Sequence, residues 1–337
     1  MRPSENDDDL TEGQPAASNL ERALALLRRV NWNRIGVAFS AAILIGSGVV
    51  LYQRLHDLDW HAVAAAVVDV SPAHIVYAAF FVGCGYVTLT FYDWLALRTI
   101  GAGQVPWRVA ALTGMTSYAI GHGLGAMMLI SAAIRYRTYS RWGLRVVDIV
   151  KVCFLAGLTF WLGNITALSI GMAAMPSAAR AVDQIPEWGN RLIGTTVLAA
   201  LSAYLLWVWD KRPFVGWRGT GVMLPSGSMT LLQIGVGLTD LSCCSLVMYL
   251  LMPSLPAVDF VPLAVIVTFG TLLGFLSHAP GSLGALDAAM LIGLPSFDRA
   301  ELVATLLLYR LLYFVAPFAL ALAVLGLREA YVQVRRE

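Results

Sequence analysis

Long apolar runs separated by short polar or basic ones set the rhythm of this chain. The stretches 35–51, 73–97 and 303–327 are close to the roughly 20 apolar residues that a helix needs to cross a bilayer. A membrane β-barrel would instead show short segments of about ten residues with alternating hydrophobicity. The pattern therefore predicts helices, which satisfy their own backbone hydrogen bonds in lipid. Full spans are expected at about 35–53, 73–97, 148–172, 191–209, 228–251 and 299–327. The expected class is an all-α, polytopic membrane protein.

Two further apolar segments are interrupted. Gly121-His122-Gly123-Leu124-Gly125 divides 109–120 from 126–134, and Ala279-Pro280-Gly281-Ser282-Leu283-Gly284 divides 263–278 from 285–294. Each arm of the first holds about a dozen residues, which at 1.5 Å per residue is too short for a core of about 30 Å. Arg98 and Arg108 precede this segment, and Arg135, Arg137, Arg141, Arg145 and Lys151 follow it. Positive residues on both sides imply that the chain enters and leaves by the cytosolic face. A re-entrant helical hairpin is expected at about 107–138, and a second, entering from outside, at about 262–294.

The remaining charges orient the spans. Arg22, Arg28, Arg29 and Arg34 precede span one, and Lys211, Arg212, Arg218, Arg328, Arg335 and Arg336 fall at later cytosolic turns. Asp57, Asp59 and Asp69 suit the outer side, as does 253–262, which lacks Lys and Arg. Both termini are thus expected in the cytosol. Residues 1–30 read as a cytosolic tail, acidic at Asp7, Asp8 and Asp9, ending in a short amphipathic helix at 21–30. Equivalent elements recur at an offset of about 155 residues, dividing the rest into repeats 31–175 and 176–337. Each holds about three spans and one hairpin. Because three spans separate the copies, the second is inverted, an architecture of transporters whose substrate sites lie at the repeat interface. The alternative is eight ordinary spans, two of them short.

Composition agrees with the pattern. The 337 residues are 58% hydrophobic and 13% charged, about half the charged share of a soluble domain. A net charge of +2 says little about partners, and no nucleic-acid partner is expected. Cys84, Cys153, Cys243 and Cys244 all lie in apolar segments without metal-ligand spacing and read as core residues. No nucleophile elbow or phosphate-binding loop with its lysine is present, so no catalytic residue, metal or cofactor is expected.

Candidate chemistry concentrates at the interruptions. Non-helical backbone at membrane depth persists only when buried in protein or facing water. The freed N–H groups around Gly121, His122, Gly123 and Gly125, and around His278, Pro280, Gly281 and Gly284, could meet an anion such as phosphate. Close helix packing is the other use of such glycines. Arg310, near the middle of span six, needs a partner or a wet cavity; Asp287 and Asp240 are candidates, while Asp93 lies nearer the cytosolic end. Arg135 and Arg137, interleaved with Tyr136 and Tyr139 and joined by Lys151, read either as a site for lipid phosphates or as positive-inside anchoring. His122 and His278 suit hydrogen bonds to freed carbonyls, and Asn164 suits interhelical bonding.

The run Ser117-Tyr-Ala-Ile-Gly-His-Gly-Leu-Gly, leading into 133–144, is similar to one signature of a known family. So are Gly274-Phe-Leu-Ser-His-Ala-Pro-Gly-Ser-Leu-Gly-Ala-Leu-Asp287 and 308–317. Together they resemble the lysylphosphatidylglycerol synthase/flippase transmembrane family, the flippase half of the multiple peptide resistance factor, over about residues 35–327. The resemblance implies movement of a phospholipid, typically aminoacylated phosphatidylglycerol, between leaflets of the bacterial inner membrane. It carries over Arg135 and Arg137, then Pro280, Gly281, Gly284 and Asp287, then Arg310. Ser282 stands where the family usually has glycine, and Asp287 where it usually has glutamate, a shorter acid that draws its charge back from Arg310. The family's aminoacyl-transfer domain is not expected here.

The leading expectation is a flippase for an anionic or lipid-linked species, with a membrane phospholipid as partner and either a separate lipid-modifying enzyme or a second copy as protein partner. The alternatives are a small-solute or proton-coupled secondary transporter using Asp240 and Arg310 as a relay, and a non-transporting scaffold for a lipid-modifying enzyme.

Overall fold

A computed structural model of the chain describes residues 58–124, 127–211, 213–216, 221–278 and 280–334, together with residues 45, 49, 52, 53 and 56. The tail, the helix expected at 21–30 and all but four positions of span one lie outside these described residues.

A short helix α1, Trp60–Asp69, opens the described fold, its first turn capped by the Asp59 carboxylate, which accepts from the His61 N–H at 2.8 Å. The long helices α2 (Pro72–Thr99), α5 (Val146–Ala174), α7 (Glu187–Lys211) and α8 (Gly227–Leu251) coincide with four of the expected spans. The fifth is α11 (Arg299–Arg310), which continues through a π-helical turn, Leu311–Val315, into α12 (Ala316–Val334). Between them lie α3 (Trp107–Leu124), α4 (Met127–Tyr139), α6 (Pro176–Asp183), α9 (Phe260–Ser277) and α10 (Ala285–Gly293). A two-residue antiparallel pair, β1 (Phe214–Val215) with β2 (Val222–Met223), tightens the loop between α7 and α8.

Two seams in the sequence explain the centre of the bundle. On α2 the buried residues Ala78, Val82, Gly85, Leu89, Tyr92 and Ala96 alternate spacings of four and three. On α8 the same alternation runs through Thr230, Gln233, Gly237, Asp240, Cys244, Val247 and Leu251. A seven-residue alternation keeps one stripe facing one partner along the whole contact. Gly85 lies against Cys243 and Asp240, and Tyr92 reaches Asp240, so α2 and α8 pack antiparallel. On its other side α8 packs parallel to α5: Gly237 lies on Gly163 backbone to backbone, and Gln233 donates to Thr159 at 2.9 Å. Small residues that let backbones touch, and side-chain hydrogen bonds between helices, replace the hydrophobic drive that lipid does not supply. Asn164 works within its own helix instead, donating to Phe160 O at 2.9 Å.

The interrupted segments fold as two helical hairpins. In the first, α4 returns along α3, and Ser131 Oγ donates to Ser117 O at 3.1 Å. In the second, α10 returns along α9, with Gly270 against Leu286 and Gly293 against Ile266. Two expectations need correcting. The first interruption falls later than 121, because α3 stays helical through Gly121, His122 and Gly123 to Leu124. Gly121 is buried, and without competing water a glycine keeps its helical hydrogen bonds. Gly125 lies outside the described residues. The forward arm of the first hairpin is also longer than a dozen residues: α3 has 18, a rise of about 27 Å, and α9, close to the expected 263–278, has 18 as well. Of these, α9 is long and apolar enough to cross a membrane. The return arm α10 has only 9 residues, a rise of about 13 Å.

The Gly163–Gly237 contact can be tested directly. A Cβ on Gly163 would land on the Gly237 backbone, whereas one on Gly157 of the same helix would meet nothing within 4 Å. Gly163→Ala is expected to destabilise the purified protein by about 1–3 kcal/mol, the usual cost of overpacking. Gly157→Ala is expected to leave the thermal midpoint in detergent unchanged or slightly higher.

Candidate functional site

The site is organised by the interruption between α9 and α10 and by the π turn opposite it. Backbone from His278 to Gly284 turns through left-handed conformations, with φ of 57° at His278, 56° at Gly281, 54° at Ser282 and 83° at Gly284. Glycine takes such angles without steric cost, which accounts for Gly281 and Gly284; Ser282 takes the same region at a cost of about 1–3 kcal/mol. The His278 ring nitrogen Nδ1 lies 3.1 Å from Leu276 O, a carbonyl at the end of α9.

Asp287, in the first turn of α10, joins the two features. Its Oδ2 accepts the Gly284 N–H at 2.8 Å and, on the same oxygen, Arg310 Nη2 at 2.6 Å. The shorter acid therefore does reach Arg310. The reason is that Asp287 sits at the helix start and the break brings α10 up to α11. The pair is mostly buried, with side-chain exposures of 16% for Arg310 and 8% for Asp287. Arg310 Nε is buried without a hydrogen-bond partner.

One residue beyond Arg310 the helix widens into the π turn. Pro317, lacking an N–H, leaves the Tyr313 carbonyl without its usual helical donor. The Tyr86 hydroxyl of α2 points to that carbonyl at 3.4 Å. Tyr309, near the end of α11, and Tyr313, within the turn, stack 5.3 Å apart and nearly parallel. Phe314 projects to Gly281 at the second break and to the His122 ring on α3, at 6.0 Å. From His122 an aromatic row continues through Tyr118 to Tyr92. The ends of both hairpins thus meet around Phe314, and His122 serves there as a ring rather than as a partner for a freed carbonyl.

Asp240 stands at the far end of that row and does not pair with Arg310. Its Oδ2 accepts the Tyr92 hydroxyl at 3.0 Å, and its Oδ1 has no partner. Arg135 also differs from expectation. It is 4% exposed, and its Nε and Nη2 grip both oxygens of Asp93 at 2.6–3.2 Å. Tyr139 donates to the same carboxylate at 2.5 Å, and Tyr118 lies under the guanidinium with its ring centre 5.6 Å away. Asp93, placed by the sequence near a less demanding end, is fully buried. This cluster fastens the return arm of the first hairpin to α2. Arg137 is exposed and Lys151 half-buried. Among the described residues no group of three His, Cys, Asp or Glu could hold a metal ion.

Two spaces adjoin these residues. An apolar groove of about 370 Å³ runs between α2, α3 and α12 beside the π turn, lined by Val82, Tyr86, Met115, Leu312, Pro317 and Leu320 among others. A second cavity, of about 510 Å³, lies among α1, the start of α2, the end of α8 and α11, and carries Asp69, His74, Asp298 and Glu301.

Long apolar helices with buried charges at their interruptions define an all-α polytopic membrane protein. No protein-family model matches the chain. It is similar to an uncharacterized protein of Synechocystis sp., 29% identical over 302 residues that cover 89% of this chain and 93% of the relative. It is also similar to the inner membrane protein YbhN of Escherichia coli, 26% identical over 306 residues, covering 88% of this chain and 92% of the relative.

The two ion pairs differ in how they tolerate loss of a partner. Asp93→Asn strands a fully buried Arg135, and a cost of about 3–5 kcal/mol is expected. Thermal unfolding in detergent is expected to show a larger loss for Asp93→Asn than for Asp287→Asn, whose arginine is partly exposed. At the second break, Ser282→Gly is expected to raise stability by about 1 kcal/mol by relieving its left-handed backbone, measured by the same assay.

Proposed function

We propose that the protein moves a phospholipid, or another lipid with an anionic phosphate head group, between the leaflets of a bacterial inner membrane. The observation that carries this reading is the double use of Asp287 Oδ2. One anionic oxygen accepts both a main-chain N–H at a helix start and a buried guanidinium, the two donors that suit a phosphate oxygen. The carboxylate occupies the position a phosphodiester would take, and a lipid phosphate would bind by displacing it. Arg310 Nε, buried without a partner, offers a further donor.

Two other features support lipid rather than a small solute. The groove beside the π turn is apolar and borders the helix that carries Arg310, as acyl chains require. The relationship to YbhN, an inner membrane protein along nearly its whole length, suits this location. In this reading the two hairpins, each with an 18-residue forward arm and a shorter return, act as gates of an inverted repeat. Arg137 and Lys151 attract the head group at the cytosolic leaflet, whereas Arg135 is structural.

Purified protein in liposomes with a fluorescent phosphatidylglycerol analogue tests this. Arg310→Gln removes a charge-assisted hydrogen bond worth about 1.5–3 kcal/mol, so the initial rate of lipid movement is expected to fall roughly 10- to 100-fold. Arg310→Lys is expected to restore part of it. A folded Arg310→Gln protein that moves lipid at the wild-type rate would overturn the reading.

A further inference from the structure

Three acids lie buried within the helices around the site, and they are not equivalent. Asp93 and Asp287 each hold an arginine, while Asp240 faces only hydroxyls, those of Tyr92 and Thr88. It is 9% exposed, on the seam between α2 and α8, with Oδ1 unpartnered. The titratable groups that face it are all neutral acids. From α2 these are Tyr86 and Tyr92, and from α3 Tyr118. From α11 and the π turn they are Tyr309 and Tyr313, and on α8 itself Cys243 and Cys244. No described lysine, arginine or histidine pairs with it.

From this arrangement we infer that Asp240 is a proton-binding site that couples proton movement to the Arg310 site. A carboxylate at this depth without a cation is costly, and one proton removes that cost. No other ligand is needed. The route from Asp240 to Arg310 is short and built of named contacts. Asp240 Oδ1 and the Tyr313 hydroxyl both border Gly85 on α2, and Tyr86 bonds the carbonyl of Tyr313 that Pro317 leaves free. Those residues set the π turn, which begins immediately after Arg310. A π turn is one extra residue in a helix, and its removal or displacement re-aims the residues beside it. Gain or loss of the Asp240 proton alters the hydroxyl contacts that hold the turn, and so changes where Arg310 points relative to Asp287. The coupling half of this inference rests on the lipid-transport reading, but the proton site does not.

The experiment has two arms. In the first, infrared spectra of the protein in lipid nanodiscs are recorded across a pH titration. Wild type is expected to show a titrating carboxylic-acid band that is absent from Asp240→Asn and present in Asp287→Asn. Tyr92→Phe, which removes the 3.0 Å hydrogen bond to Asp240, is expected to shift that band and serves if Asp240→Asn does not fold. A band unchanged in Asp240→Asn, or unshifted in Tyr92→Phe, overturns the proton site. In the second arm, lipid movement in proteoliposomes is compared with and without a pH gradient. The gradient is expected to change the wild-type rate about fivefold or more, the low end of ordinary coupling between sites, and to make no difference to Asp240→Asn. A gradient response retained in Asp240→Asn overturns the coupling. Absence of lipid movement under all conditions would overturn the transport reading and the coupling, while the infrared arm would still decide the proton site.

Discussion

A charge cannot be left alone in hydrocarbon, and the arrangement of this bundle follows from how each buried charge is answered. Arg135 is answered by Asp93, which also accepts from Tyr139, and this fixes the return arm of the first hairpin to α2. Arg310 is answered by Asp287, which fixes the start of α10 to α11 and thereby closes the second hairpin. Asp240 is answered by hydroxyls of α2, which draw that helix to α8. The backbone obeys the same demand. The Tyr313 carbonyl freed by Pro317 lies within reach of the Tyr86 hydroxyl, and the Gly284 N–H, left over at a helix start, finds Asp287.

Much of the architecture could be read from hydropathy because spans are long, uniform and indifferent to detail. The helices at Pro72–Thr99, Val146–Ala174, Glu187–Lys211 and Gly227–Leu251 needed nothing more than their length and apolar content. The hairpins were less legible. Glycine in a solvated helix marks weakness, but in lipid it marks close packing. Gly121 and Gly123 therefore stayed helical, while Gly281 and Gly284, with Pro280 and two left-handed neighbours, did not. Helix length through the first segment was underestimated for that reason.

The charged residues show the same limit. Arg310 could be singled out because it interrupts an apolar span. Arg135 could not be told from Arg137, Arg141 and Arg145, since all four belong to one basic cluster and only tertiary contact buries the first. Asp93 was its missing signal: an acid inside an otherwise apolar span asks for a base as plainly as Arg310 asks for an acid. The tyrosines were invisible for another reason. Tyr86, Tyr92, Tyr118 and Tyr313 resemble ordinary core aromatics until their hydroxyls and rings are seen to share one row.

The shared oxygen of Asp287 has one more consequence. With Arg310 and Asp287 joined, the empty site has no net charge and no spare main-chain donor at Gly284. A chloride ion gains little at the Gly284 N–H or at Arg310 Nη2, because it would have to displace a carboxylate oxygen that already holds both. Such a closed pair acts as an electrical seal. In the lipid-transport reading, it keeps the route of the head group from serving as a leak for small anions.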